Sequence, residues 1–205
     1  MKTLKTVLVI ALFFLGANLS AQGFVSSGLK VGLSLSDFSG VANSNMKMGF
    51  NAGLTLDYAF SQKEDWLILT GIEYVTKGVS FGKVEGVESF VNLGYAQIPI
   101  HLGYQIRVSN TTKLTFHGGA YLAYGLTGSK KQAFGGVFDG NKDPFSDNAP
   151  LQFKRFDFGA GLGTKVEFGK IGVGLGWDFG MMKILDQDFQ SIKNQNGYLT
   201  IGYLF

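Results

Sequence analysis

The 205-residue chain contains no cysteine and only three prolines. Without thiols, neither a disulfide framework nor a thiolate metal site is available, so an exported domain of this composition must be held together another way. A lipid anchor on an N-terminal cysteine is excluded for the same reason. The scarcity of proline leaves long strands uninterrupted, since each proline removes one ladder donor. Also missing is any amphipathic helical stripe able to compete with a two-residue period. Charge of one sign is scarce too. Lys2 and Lys5 fall in the leading segment, and without them 16 basic residues face 15 acidic ones. With no cationic excess, no nucleic-acid partner is expected.

The leading segment reads as a secretory signal. Lys2 and Lys5 form its basic start, Val7 to Leu15 its apolar centre, and Ser20 and Ala21 the small residues before a cut at Gln22. Leu19 fits the third position before that cut poorly, which leaves Ala17 as an alternative site. The apolar centre is shorter than the roughly 20 residues that cross a bilayer as a helix. The expected organisation is a signal peptide over 1–21 and one domain over 22–205.

What the chain has in quantity is 30 glycines, 19 phenylalanines and 8 tyrosines, a composition suited to strands. Apolar residues alternate with polar ones or glycine from Leu29 to the end. Leu29, Val31, Leu33 and Leu35 share one face, with Lys30, Gly32, Ser34 and Ser36 on the other. Ile171, Val173, Leu175, Trp177 and Phe179 likewise alternate with Gly172, Gly174, Gly176 and Asp178. Eight such segments can be counted, and their connections alternate in length. Short links fall at 61–65, 108–112 and 169–170, and long ones at 36–47, 78–92, 128–153 and 183–196. Gly169-Lys170 fits a two-residue type II′ hairpin that pairs Phe168 with Ile171, Val166 with Val173 and Leu162 with Trp177. The expected fold is all-β: an eight-stranded antiparallel transmembrane β-barrel of up-and-down topology, with both termini periplasmic.

A soluble carrier barrel would turn the apolar face inward, so the distribution of aromatics decides the orientation. Traced up and down, Phe60, Trp66, Phe116, Phe168 and Phe205 gather at one level and Phe50, Tyr74, Tyr124, Phe158 and Phe179 at the other. Two aromatic girdles around an aliphatic belt are what a bilayer requires, and outer-membrane lipid is the expected partner of this face. The polar face then lines a narrow lumen. Its expected interior network comprises Lys30, Asp57, Glu73, Lys77, His101, His117, Arg155, Asp157, Lys165, Glu167 and Asp178, in which buried charges need partners.

The segments GLKVGLSLSDFSG (28–40), YAQIPIHLGY (95–104), GAYLAYGLTGSK (119–130), RFDFGAGLGTKVEF (155–168) and YLTIGYLF (198–205) resemble, in order and spacing, the PorT-like outer-membrane β-barrel proteins typical of Bacteroidetes. The resemblance implies a barrel in a Gram-negative outer membrane, a few of whose relatives serve secretion or gliding machinery. It also implies that Phe205 ends a strand read by the barrel-assembly machinery.

Two constellations invite chemistry. Closing the fourth and fifth strands about Ser109 sets His101 and His117 opposite one another, an arrangement that suits a metal or acid–base pair. No third ligand is fixed by spacing, so an interior hydrogen-bonded pair is the expectation. Asp139, Asn141, Asp143 and Asp147 approximate a calcium loop, but Pro144 and Pro150 stand where Gly and Glu belong. That reads as a solvated loop, and its Phe134, Phe138 and Phe145 as residues that fold over the mouth or meet a protein partner on 128–153. No cofactor or catalytic residue is expected. The expected role is a non-enzymatic structural or accessory component of a cell-surface or secretion assembly. The alternatives are a small solute channel or an enzyme using His101 and His117.

Overall fold

The computed structural model describes residues 25–41, 44–61, 65–84, 87–131, 133–134, 137–138, 143–146, 152–185 and 191–205. The expected signal segment, and Asp139, Asn141 and Asp147 of the calcium-like loop, lie outside the described residues. Ten strands follow in chain order: β1 (Val25–Ser39), β2 (Asn45–Ala59), β3 (Trp66–Val84), β4 (Val87–Arg107), β5 (Thr112–Lys131), β6 (Ala133–Phe134), β7 (Val137–Phe138), β8 (Phe156–Phe168), β9 (Ile171–Gly180) and β10 (Lys193–Leu204). Eight of them close into one barrel, in the order β1-β10-β9-β8-β5-β4-β3-β2, with every neighbour antiparallel. The pair β6–β7 forms a separate two-stranded ladder. Closure matters because it removes the edges that would otherwise expose unpaired backbone groups to lipid.

The expected hairpin register holds throughout β8 and β9: Phe168 pairs with Ile171, Val166 with Val173 and Leu162 with Trp177. Gly169 takes φ 59° at the first turn position. No atom lies within 4 Å of where a Cβ would sit there, so backbone conformation rather than crowding calls for glycine. The outward side chains are the expected ones. Leu29, Val31, Leu33, Ile98, Ile100, Leu162, Leu175 and Ile201 are all exposed, as are nine of the ten expected girdle aromatics. The tenth, Tyr74, is half-buried, with its hydroxyl 2.8 Å from Thr127 Oγ1. At one end Phe50 stacks near Tyr74 at 5.7 Å, and at the other Trp66 meets Tyr104 at 5.1 Å and Tyr203 meets Phe205 at 6.3 Å.

Three of the expected long loops are shorter than the alternation indicates. β3 and β4 continue as one hairpin through most of 78–92, β1 and β2 approach to within 40–44, and β10 already begins at Lys193. For β3 and β4 the cause is a change of polarity along the inner face. Below Lys77 that face mixes the polar Glu73, Gln97 and His101 with the apolar Leu67 and Val75, but above it the inward residues are Val79, Val91, Leu93 and Tyr95, all buried. A pattern of apolar-out, polar-in therefore breaks where the strands do not.

These upper wall residues form an apolar core together with the chain segments that fold into the mouth. Phe145, Phe153, Ile184, Leu185 and Ile192 pack against Val79, Val91, Leu93, Tyr95, Tyr121 and Phe38. Backbone bonds tie these segments together: Phe153 N–H to Pro144 O at 2.9 Å, Lys154 N–H to Ile184 O at 2.8 Å and Ile184 N–H to Ile192 O at 2.9 Å. Ring contacts seat the cap, with Tyr95 and Phe145 at 5.8 Å edge to face and Phe38 and Phe153 at 5.9 Å. Each large apolar side chain so buried contributes about 1.5–3 kcal/mol.

Candidate functional site

Below the cap, the lumen is crossed by side chains rather than open. Nearest the end that carries Val25 and Phe205, Lys165 on β8 reaches across to Asp57 on β2, and its Nζ also lies 2.7 Å from Glu167 Oε1. β8 and β2 stand on opposite sides of the barrel, so this contact bridges its full width. Midway, Lys30 Nζ lies 2.7 Å from Glu73 Oε2. The amide of Gln97 donates to Glu73 Oε1 at 3.3 Å and to Asp178 Oδ2 at 2.9 Å.

Directly under the cap, Lys77 pairs with Asp157 at 3.2 Å, and both side chains are fully buried. Asp157 Oδ2 also accepts from Tyr121 Oη at 3.2 Å and from Asn194 Nδ2 at 2.8 Å. The Lys77 ammonium sits 4.1 Å from the centre of the Tyr121 ring and 5.3 Å from that of Tyr95. A buried charge needs this density of partners, because removing it from water costs several kcal/mol per ion.

His101 and His117 do meet, but not in the expected register. His101 stands opposite Gly119 and His117 opposite Gly103, so the two are diagonal neighbours. Diagonal positions remain within reach of long side chains. The Nδ1 atoms are 2.9 Å apart, with the ring planes inclined by 22°. One ring donates an N–H to the bare nitrogen of the other.

The glycines of the inner face explain how such rings fit. In register, His101, Gly119, Gly161 and Asp178 form one row across four strands. A Cβ on Gly161 would collide with Asp178 Oδ1 and crowd the His101 ring, and one on Gly163 would crowd His117. Glycine on one strand thus provides the floor for a ring carried by its neighbour. The same device lets the Tyr121 ring lie over Gly159.

One expected member of the network belongs elsewhere. Arg155 precedes β8 and turns to the mouth, where it donates to Gly125 O at 3.0 Å and pairs with Asp143 at 3.3 Å, both side chains being partly exposed. The parity of its position was inward, but the chain leaves the ladder one residue before Phe156, which releases the side chain. Its guanidinium instead covers the Phe145 ring at 5.1 Å. Pattern reading also missed Tyr95, Tyr121, Gln97 and Asn194 as partners of the charges, since polar and aromatic inward residues carry no periodic signature of their own.

Among the described residues the lumen retains open space. One cavity of about 100 Å³ is lined by Lys30, Glu73, Gln97, His101, His117 and Asp178, among others. A wider one of about 250 Å³ opens at the terminal end around Asp57, Lys113 and Glu167. Among the described residues, no three His, Asp or Glu side chains group as a metal site.

A closed antiparallel barrel with a lipid-facing apolar belt and a charged interior defines the class: a membrane-spanning β-barrel. The chain belongs to the family described as "Outer membrane protein beta-barrel domain", which it matches over residues 17–186. Similarity to solved structures is of the same kind and low in sequence. Neisserial surface protein A is 12% identical, with 88% of this chain and 99% of that one covered at a TM-score of 0.51. Ail, the attachment invasion locus protein of Yersinia pestis, is 17% identical over 88% of this chain and 98% of its own, at 0.41. OprG from Pseudomonas aeruginosa is 11% identical over 89% and 94%, at 0.47. Comparison with curated proteins by sequence yields no match. The likeness to the neisserial protein concerns the fold alone.

Proposed function

We propose that this outer-membrane barrel is a non-enzymatic structural or accessory component of a cell-surface or secretion assembly, of the PorT-like type, and that it acts through its surfaces rather than its lumen. In this reading the signal peptide is removed, both termini are periplasmic, and the capped end faces outward. The assembly machinery reads the C-terminal strand at Phe205. The single observation that carries the proposal is the obstructed lumen. Among the described residues an apolar cap fills one end and ion pairs cross the lumen below it, an arrangement that opposes free passage of a solute. A channel would need the reverse, a water-filled interior.

The test is a photo-crosslinking residue placed at Asp143, on the exposed mouth, in intact cells. Repeated capture of one envelope protein, together with loss of its surface assembly on deletion, is the expected result. Capture of nothing but lipid, with an unchanged envelope after deletion, contradicts the reading.

A further inference from the structure

Among the described residues that pair below the cap, lysines are outnumbered by carboxylates. Lys30, Lys77 and Lys165 face Asp57, Glu73, Asp157, Glu167 and Asp178. At the terminal rim Lys113 stands opposite Glu167 in register and offsets one of the extra carboxylates where solvent reaches. The other excess lies deep. Asp178 is 2% exposed and accepts from the neutral amide of Gln97, while the two lysines that act on its charge, Lys77 and Lys30, are already paired with Asp157 and Glu73. An ionised carboxylate so placed requires a counter-charge.

The surroundings of Asp178 supply a seat for one. The cavity of about 100 Å³ beside it is large enough for a small ion. Two of the residues that line that space carry a buried acceptor without a hydrogen-bond partner: His101 Nε2, on a residue 5% exposed, and Gln97 Oε1, on one 2% exposed. His101 Nε2 and Asp178 Oδ1 both approach the wall over Gly161, as a Cβ there would touch each of them. When His101 donates from Nδ1 to His117, its Nε2 carries a free lone pair. Carboxylate, amide oxygen and imidazole nitrogen together present acceptors and net negative charge. Metal-grade convergence of three His, Asp or Glu side chains is absent among the described residues. An imidazole nitrogen prefers an N–H donor to a hard alkali ion.

We propose that this cavity is a binding site for a small N–H cation, ammonium or a short primary ammonium, held between Asp178, Gln97 and His101. The site concerns the lumen alone and stands or falls independently of any partner at the surface.

The test uses the full mature barrel in neutral detergent, with ¹⁵N-labelled histidine, titrated at fixed pH 8 and ionic strength with ammonium chloride and, separately, sodium chloride. A saturable displacement of the His101 resonance by ammonium but not by sodium is expected. Asp178→Asn, which keeps the shape and the Gln97 bond, should weaken that binding roughly tenfold or more, as loss of a charged partner does. Asp143→Asn at the mouth should leave it unchanged. Because Asp178→Asn could alter folding, Gly161→Ala provides a second variant that keeps every charge but crowds the seat, and it too should weaken binding. No saturable response in the wild type, or wild-type affinity retained in both lumen variants, overturns the site. So does a wild-type barrel that holds one more proton than Asp178→Asn at pH 8 without ammonium, since a proton then supplies the counter-charge.

Discussion

Lys77 concentrates the residue-scale argument, because its charge is fully buried and met by Asp157 and by the faces of two tyrosines. Lys77→Met strips the cation and leaves the carboxylate without its counter-ion, so it should cost about 3–5 kcal/mol in urea unfolding from lipid vesicles. Adding Asp157→Asn should recover a large part of that loss, since the second change removes the orphaned charge while Tyr121 and Asn194 keep an oxygen to bond. Equal or greater loss in the double variant would show that the pair does not act as a unit. Arg155→Ala breaks an ion pair of similar length, 3.3 Å, but at the exposed mouth. Its cost should stay within about 1 kcal/mol in the same measurement. The charged residues of the lumen were readable from strand parity, apart from Arg155, where the ladder begins one position too late to hold its side chain inward. Their pairing was not readable, because contacts such as Lys165–Asp57 join strands half a barrel apart and depend on how the sheet closes.

Among the elements, the β8–β9 hairpin was the most legible. Its register follows from a two-residue turn and a strict alternation on either side, and both are local. The β4–β5 pairing was less so. His101 and His117 meet diagonally because the hairpin closes about Asn110 rather than Ser109, which moves each partner by two residues, a shift that polar loop residues do not disclose. The upper hairpin of β3 and β4 was misread for another reason. Its inward face turns from mixed to wholly apolar above Lys77, so one alternation rule cannot cover the whole strand. The turn at Gly169 offers a clean test at this scale. Gly169→Ala meets no steric obstacle but must adopt a left-handed backbone, and should destabilise the barrel by about 1–2 kcal/mol. Gly169→Asn should cost visibly less, since asparagine tolerates that conformation. Identical unfolding midpoints for the two variants would contradict the backbone explanation.

For the whole molecule, the apolar face serves lipid around most of the barrel, while the capped end reuses the core logic of a soluble protein. The ring-to-ring seating of Phe145 on Tyr95 and of Phe153 on Phe38 makes the cap part of the fold rather than an appendage. The cap was hidden from pattern reading because its described parts come from 143–146, 152–155, 183–185 and 191–192, short pieces with no periodicity that meet only after the barrel has closed. Double substitution of Phe145 and Phe153 by serine should therefore loosen the mouth while leaving the strands paired, visible as faster hydrogen exchange confined to the upper ends of β3, β4 and β5. Exchange that rises uniformly through the barrel would mean that the cap and the barrel unfold together.

The account rests on an obstructed lumen, and the most direct measurement is single-channel recording of the purified wild-type barrel in planar bilayers. A sealed barrel predicts no stable stepwise current at moderate voltage, with conducting events appearing only when Phe145 and Phe153 are replaced and Lys165→Ala removes the lower bridge. A steady, reproducible open conductance in the wild type would contradict it.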